Sequence, residues 1–281
     1  MNQVPQVRFW GVRGSFPLST SDNGRYGSNT SSVSIHVPGE PLVLLDLGTG
    51  VALLQDALAT GTIEPPSAIA ALVTHLHLDH IHGLPFFEPA HQDGFRVDVF
   101  GPRQSSGSLQ AAVATLVGPP LFPLPLHAFA AKLTFHEVED QRFQVGDLRI
   151  TVRPVPHRGP TVGYRIEGPG FSVAYVSDHQ QPRVLSEVAA SVLALAQGAD
   201  LLIHEAQFTQ AEFEGKERWG HCTVEYSVEV ARQSRARTLC LFHHDPRRRD
   251  DEVDQMLEQA RSQAGPDLEV MAAFEGLTID L

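Results

Sequence analysis

The stretch THLHLDHIHGLPFF, residues 74–87, places His75, His77, Asp79 and His80 within six consecutive positions. Imidazole nitrogen and carboxylate oxygen are ligands that suit zinc, manganese or iron, and no thiolate stands among them. His75 and His77 alternate at the end of an apolar run. In extended backbone, residues two apart point the same way, so this pair can grip one ion. The turn that follows delivers Asp79 and His80 to a second point. A site built from these groups alone would be incomplete, so further ligands are expected at other strand ends. VRPVPH closes on His157, VAYVSD on Asp178, and LCLFHH on His243 and His244. Any one of these could be a surface histidine or a turn aspartate. As a series at the C-terminal ends of buried strands they read as an active site.

The elements that must carry this series are short β-like runs at 7–11, 31–37, 41–48, 68–75, 96–102, 132–138, 148–155, 161–168, 171–178, 199–206, 238–244 and 277–281. Some alternate and some are continuously apolar, the pattern of sheets covered on one face by helices. Helical segments fall at about 50–59, 182–197, 223–236 and 250–264. The third follows a Cys-Thr start with Glu225 close behind, a cap and an acidic first turn, and the fourth opens on DDEVD. Strands with helices interspersed, twice over, predict a layered α/β architecture. Residues 103–130 differ: an apolar helical stretch runs into Pro119, Pro120, Pro123 and Pro125, which predicts a helix and then a rigid irregular loop. Apolar positions in 118–129 would suit a lid over the cleft or self-association as a homodimer. No linker divides the chain, so residues 1–281 are expected to form a single domain.

With 281 residues and 42% hydrophobic content, the chain can bury a large core. Its formal net charge of −12 repels a phosphate backbone and disfavours structured RNA as a substrate. Only Cys222 and Cys240 occur, and MNQVPQVRFW shows no basic region leading into an apolar one, so a reducing cytoplasm is expected. No apolar run approaches the roughly 18 residues of a membrane span, so no membrane partner is expected.

The order H-x-H-x-D-H, His, Asp, His over residues 75 to 243 resembles the metallo-β-lactamase superfamily, and the strand pattern extends the resemblance over nearly the whole chain. The resemblance implies an α/β fold: a four-layered αβ/βα sandwich of two similar halves, with a dinuclear site along one edge. It further implies that His75, His77 and His157 hold one metal and that Asp79, His80 and His243 hold the other, with Asp178 bridging. Two divalent metal ions are therefore expected, zinc favoured and manganese or iron as alternatives.

The superfamily hosts many reactions, so fold does not settle function. True β-lactamases of this fold lack a bridging aspartate, which argues against antibiotic hydrolysis. VPHRGPTVGYRIE (155–167) departs from the H-T-P-G-H-T form of glyoxalase II and is similar to the phosphodiesterase branch that contains tRNase Z. LLIHEAQF (201–208) and GHCT (220–223) are similar to that branch's His-Glu-Ala-Thr and Gly-His-Ser-Thr motifs, with Gln207 and Cys222 as departures. Carried over, Glu205 would orient His221, and His221 would serve as general acid or charge stabiliser beside the scissile phosphate. The arm that grips tRNA is inserted in tRNase Z between the third-motif histidine and the bridging aspartate. Here only two strands and a GPG turn join His157 to Asp178. VRFWGVRGSFP and YGSNTSSV resemble a different group, of small phosphodiesterases and hydrolases, some acting on 3′,5′-cyclic nucleotides.

These residues predict a hydrolase for a small phosphodiester, with Asp79, Asp178, Glu205 and His221 as catalytic groups. Hydroxide generated at two metals would attack phosphorus and His221 would protonate the leaving alkoxide. Hydrolysis of a carboxylic ester or lactone on the same site, and a di-iron redox or sensor role, stay open as alternatives. Within the Gly- and Ser-rich loop 11–32, Arg13 and Asn29 are candidates for contacting the phosphate. PRRRD (246–250) is a candidate for holding it from the rim, and His82 and His244 for fixing ligand tautomers. His36, His91, His127 and His136 carry no partner pattern and are expected to be structural.

Overall fold

Two seven-stranded sheets lie face to face in the computed structural model, which describes residues 4–105 and 107–281. The first sheet is built from β1 (Gln6–Gly11), β2 (Ser32–His36), β3 (Leu42–Leu45), β4 (Ile69–Leu72), β5 (Arg96–Pro102) and β6 (Lys132–Val138). The second holds β7 (Gln141–Val145), β8 (Leu148–Pro154), β9 (Val162–Gly168), β10 (Phe171–Val176), β11 (Leu201–Glu205), β12 (Thr238–Phe242) and β13 (Glu269–Ala272). The last strand, β14 (Thr278–Asp280), returns to pair with β1.

Both sheets follow one pairing rule. Along β14-β1-β2-β3 the neighbours are antiparallel, and along β3-β4-β5-β6 they are parallel. Along β7-β8-β9-β10 they are antiparallel, and along β10-β11-β12-β13 parallel. This is the pair of similar halves that the resemblance implies. Strands β3, β4, β10, β11 and β12 are fully or almost fully buried, as expected of strands covered on both faces. The chain between His157 and Asp178 consists of β9, a tight turn and β10, with no room for an arm.

Three apolar clusters fill the layers. Between the sheets, Val7, Phe9, Val33 and Leu45 meet Tyr164, Ile166, Tyr175 and Phe242. The outer face of the first sheet is covered by α1 (Val51–Ala59), the short α2 (Leu78–Ile81) and α3 (Leu109–Leu116). That of the second is covered by α4 (Ala190–Ala196), α6 (Val224–Ser234) and α7 (Asp250–Ala264), while the one-turn α5 (Gln210–Phe213) stands near the sheet ends. Helix α6 begins as its sequence predicts, with the Thr223 side chain accepting the Tyr226 N–H and Glu225 in the first turn.

Besides the one-turn helices α2 and α5, three elements differ from expectation. β7 was not legible because it is an edge strand with three exposed polar residues, and β13 because it is only four residues long. The helix expected over 182–197 shrinks to α4, since Pro182 opens an irregular stretch in which Val184 and Leu185 stay exposed. In 118–129, Leu126 and Phe129 are buried in the outer core while Leu121 and Leu124 face solvent; Ser106, in the stretch before, lies outside the described residues. Among the described residues, no helix is long and apolar enough to cross a membrane.

Candidate metal centre

Equivalent strand ends of the two halves converge at one edge. The first half supplies Asp46, directly after β3, and His75, His77, Asp79 and His80 after β4. The second supplies His157 after β8, Asp178 after β10, Glu205 at the end of β11 and His243 after β12. Their donor atoms fall into overlapping groups within 4.8 Å: His75, His77 and His157; His75, His80 and Asp178; Asp79, His80 and His243; and Asp178, His221 and His243. Asp178 is central. Ring nitrogens of His75, His80, His157, His221 and His243 stand 3.2–3.9 Å from its carboxylate. Asp79 Oδ2 lies 3.1 Å from His243 and 3.2 Å from His80.

The rings are set in matching tautomers. His80 Nδ1–H donates to Asp46 Oδ2 at 2.8 Å, His157 Nδ1–H to the Gly220 carbonyl at 2.6 Å, and His243 Nδ1–H to Gln207 Oε1 at 3.1 Å. Thr74 Oγ1 donates to Asp46, which leaves it to accept His75 Nδ1–H at 3.1 Å. Each Nε2 is thereby bare and aimed inward. Those of His75 and His80 are buried with no hydrogen-bond partner, and His157 Nε2 faces His77 Nδ1 at 3.2 Å. Bare nitrogens facing one another beside buried carboxylates fit a cation that they share. The donor set is nitrogen and oxygen only; both cysteines are buried and outside these groups. These residues could therefore hold divalent metal ions.

Electrostatics agree at the two carboxylates and at His75, while at His80 burial disfavours charge but the surrounding carboxylates hold the pKa above the ordinary imidazole range. Burial works against charge on Asp178 and Asp79, yet the surrounding imidazoles hold both carboxyls well below the usual carboxylate range. Burial, reinforced by its neighbour His80, keeps His75 well below the usual imidazole range, so it stays neutral as a ligand must. His221 is the opposite case. Burial disfavours its charge, but Glu205 at 3.4 Å and Asp178 at 3.6 Å prevail and hold its pKa up at about 9. Glu205 itself accepts the backbone N–H groups of His179 and Cys222, so it fixes the backbone on both sides of the site.

Backbone strain gathers here. Among the described residues, four non-glycine residues have positive φ, and Ser15, Asp46 and His243 are three of them. Ser15 N–H donates to Asp79 Oδ2 at 2.6 Å, and a Cβ on Gly14 would lie 2.2 Å from the buried His243 ring. The Gly- and Ser-rich loop thus braces ligands. Gly14→Ala should displace His243 and lower affinity for one ion, read by competition with a chromogenic chelator.

Several expectations are corrected. Arg13 is fully buried and donates to the carbonyls of Gly27, Asp245 and Arg248, so it locks the loop and cannot reach a substrate. For Asn29 only the backbone is committed, accepting from Val12 and Arg13 and donating to Glu275, and its half-buried side chain keeps the expected phosphate contact as a proposal. In PRRRD, Arg248 is buried against Glu212 at 2.6–2.8 Å, and Arg249 pairs with Asp251 on the surface. His82 is exposed beside Phe86, and His244 donates to the Ala273 carbonyl, so neither orients a ligand.

The residue that does so most broadly is Asp46, which sequence reasoning missed. It receives His80 directly, His75 through Thr74, and Tyr175 Oη from the facing sheet at 2.9 Å. VLLD ends an apolar run on an aspartate as YVSD does, and that parallel was its signal. Asp46→Asn should weaken metal affinity by about 10- to 100-fold with the fold retained. A chelator titration alongside circular dichroism checks it, and unchanged affinity would deny Asp46 this role.

Comparison with known proteins agrees with this geometry. The profile of the beta-lactamase superfamily domain matches residues 42–244. Ribonuclease Z of Synechococcus sp. (strain CC9311) is 27% identical over 296 aligned positions, covering 86% of this chain and 88% of that protein. Among solved structures, human tRNase Z, short form, superposes with a TM-score of 0.68 at 21% identity, covering 98% of both chains. A diphosphatase of the PhnP family superposes with a TM-score of 0.69 at 19% identity, covering 99% of this chain and 98% of that one. At these identities the two structures share the fold.

Proposed function

We propose that this chain, which belongs to the beta-lactamase superfamily, is a phosphodiesterase for a small substrate such as a 3′,5′-cyclic nucleotide. The observation that carries this reading is His221, an imidazole whose Nδ1 stands 3.6 Å from Asp178 and 3.4 Å from Glu205, next to an inward-facing set of metal-type donors. A proton donor at the edge of such a set is what departure of an alkoxide from phosphorus requires. Relatives named ribonuclease Z and a PhnP-family diphosphatase support phosphorus as the reacting centre. The short β9–β10 connection and the net charge of −12 favour a small diester over structured RNA.

His75, His77 and His157 would hold one ion and Asp79, His80 and His243 the other, with Asp178 between them. Two divalent ions, when bound, supply Lewis acidity to the phosphoryl oxygens and a nucleophile at neutral pH. The chain's own part is to fix the ligand tautomers through Asp46, Thr74, Gly220 and Gln207, and to hold a proton on His221. His221 gives that proton to the leaving oxygen, and Glu205 stabilises it until then.

The test is hydrolysis of bis-p-nitrophenyl phosphate and of cyclic AMP by protein reconstituted separately with zinc and with manganese. Turnover that a chelator abolishes supports the reading. Two bound ions without turnover of either diester would sink it and favour a carbon ester. Bound iron with visible absorption would favour redox chemistry instead.

A further inference from the structure

Trp219 is 59% exposed, one residue from Gly220 and two from His221. An exposed indole on a mobile loop would call for no explanation. This one is on a segment tied at nearly every residue. Gln180 donates to the Glu217 carbonyl and accepts Gly220 N–H, Arg158 donates to the Arg218 carbonyl, and Trp219 N–H donates to the Lys216 carbonyl. Gly220 then accepts His157 Nδ1–H at 2.6 Å, and with φ of +99° it has no room for a side chain against that ring. The backbone that carries the indole is thus fixed relative to a candidate metal ligand through a single residue.

Its surroundings are cationic in an acidic chain. Lys216 Nζ lies 5.6 Å from the Trp219 ring and 4.3 Å from the ring of Phe208, which stands edge-on to His221 at 6.0 Å. Among the described residues, Arg158, Lys216 and Arg218 form no close ion pair, and Glu217, whose carboxylate accepts Gly215 N–H, is in electrostatic reach of Arg218. An exposed aromatic face on a tied backbone, with cations beside it, is the composition of a stacking platform for a base attached to phosphate. Its backbone is two residues from His221, the proposed proton donor to the leaving oxygen.

We propose that Trp219, with Lys216 over one face of its ring and Arg158 bonded to the carbonyl before it, is the subsite for a nucleobase on the leaving-group half of the substrate. This rests on the phosphodiesterase reading and narrows its substrate to nucleotide diesters. Stacking of this kind predicts that Trp219→Leu raises KM for cyclic AMP by about 5- to 100-fold with kcat nearly unchanged, and that Trp219→Phe recovers most of the loss. In the metal-loaded protein, adenosine monophosphate should quench tryptophan fluorescence saturably, ribose 5-phosphate should not, and the quench should vanish in Trp219→Leu. Trp10, the other indole, is buried and bonded to Ser34, so it contributes a constant background. Inhibition by adenosine monophosphate without quenching, or an unchanged KM in Trp219→Leu, overturns the subsite and leaves the phosphodiesterase standing. Absence of any diester hydrolysis by the unaltered protein overturns both.

Discussion

Asp178→Ala is expected to abolish hydrolysis and to lower the metal content below that of the unaltered protein. Five imidazoles turn a nitrogen toward this one carboxylate, and the residue is 2% exposed. Removing the carboxylate takes away the anion that faces both groups of candidate ligands, and Asp79, which belongs to one of them, is left to offset two mutually repelling cations. At least one ion should be lost, and with it the paired arrangement on which attack at phosphorus depends. Asp178→Asn keeps the shape and removes the charge, and should lose metal to a similar degree with normal folding. Elemental analysis of dialysed protein, with circular dichroism and bis-p-nitrophenyl phosphate turnover on the same samples, checks this. An alanine variant that keeps full metal content and turnover would remove Asp178 from the centre of the site.

Much of this arrangement can be read from sequence because the candidate ligands sit at strand ends. A strand is recognisable by its apolar run, and the residue that breaks the run is conspicuous, which is how His157, Asp178 and His243 stood out. Asp46 broke a run in the same way and was passed over, since it reaches no ion position and acts only through His80 and Thr74. The buried pair His179 and His204 was also missed. Their rings bond to each other at 3.0 Å, and His204 to the Glu205 carbonyl, behind the site. Nothing in local sequence distinguishes such a pair from solvent-facing histidines, because the partner comes from another strand. Arg13 misled for the complementary reason. A glycine- and serine-rich loop with an arginine predicts anion binding, and only tertiary structure reveals that this guanidinium is already saturated by carbonyls. Strands at the sheet edges were lost where the burial pattern that marks a strand fades, as in β7.

His221→Ala should separate two roles that the geometry leaves equally near. Its Nδ1 lies 3.6 Å from Asp178 and in one donor group with His243, so it could ligate an ion; it also lies 3.4 Å from Glu205, the pairing expected of a proton donor. A ligand lost costs metal, whereas an acid lost costs rate. With His221 as the acid, the variant should keep its metal content and hydrolyse cyclic AMP about two to four powers of ten more slowly. The decrease should depend on the leaving group. Ribose leaves as a strongly basic alkoxide that needs the proton, while p-nitrophenolate is a stable anion that leaves without one, so bis-p-nitrophenyl phosphate should be slowed far less. Glu205→Gln should follow the same pattern more weakly, because it removes the charge that keeps His221 protonated while retaining a partner for the backbone of Cys222. Equal losses on both substrates, with metal retained, would make His221 a stabiliser of phosphoryl charge. Loss of metal would make it a ligand, and the proton for the leaving group would then have to come from elsewhere in the site.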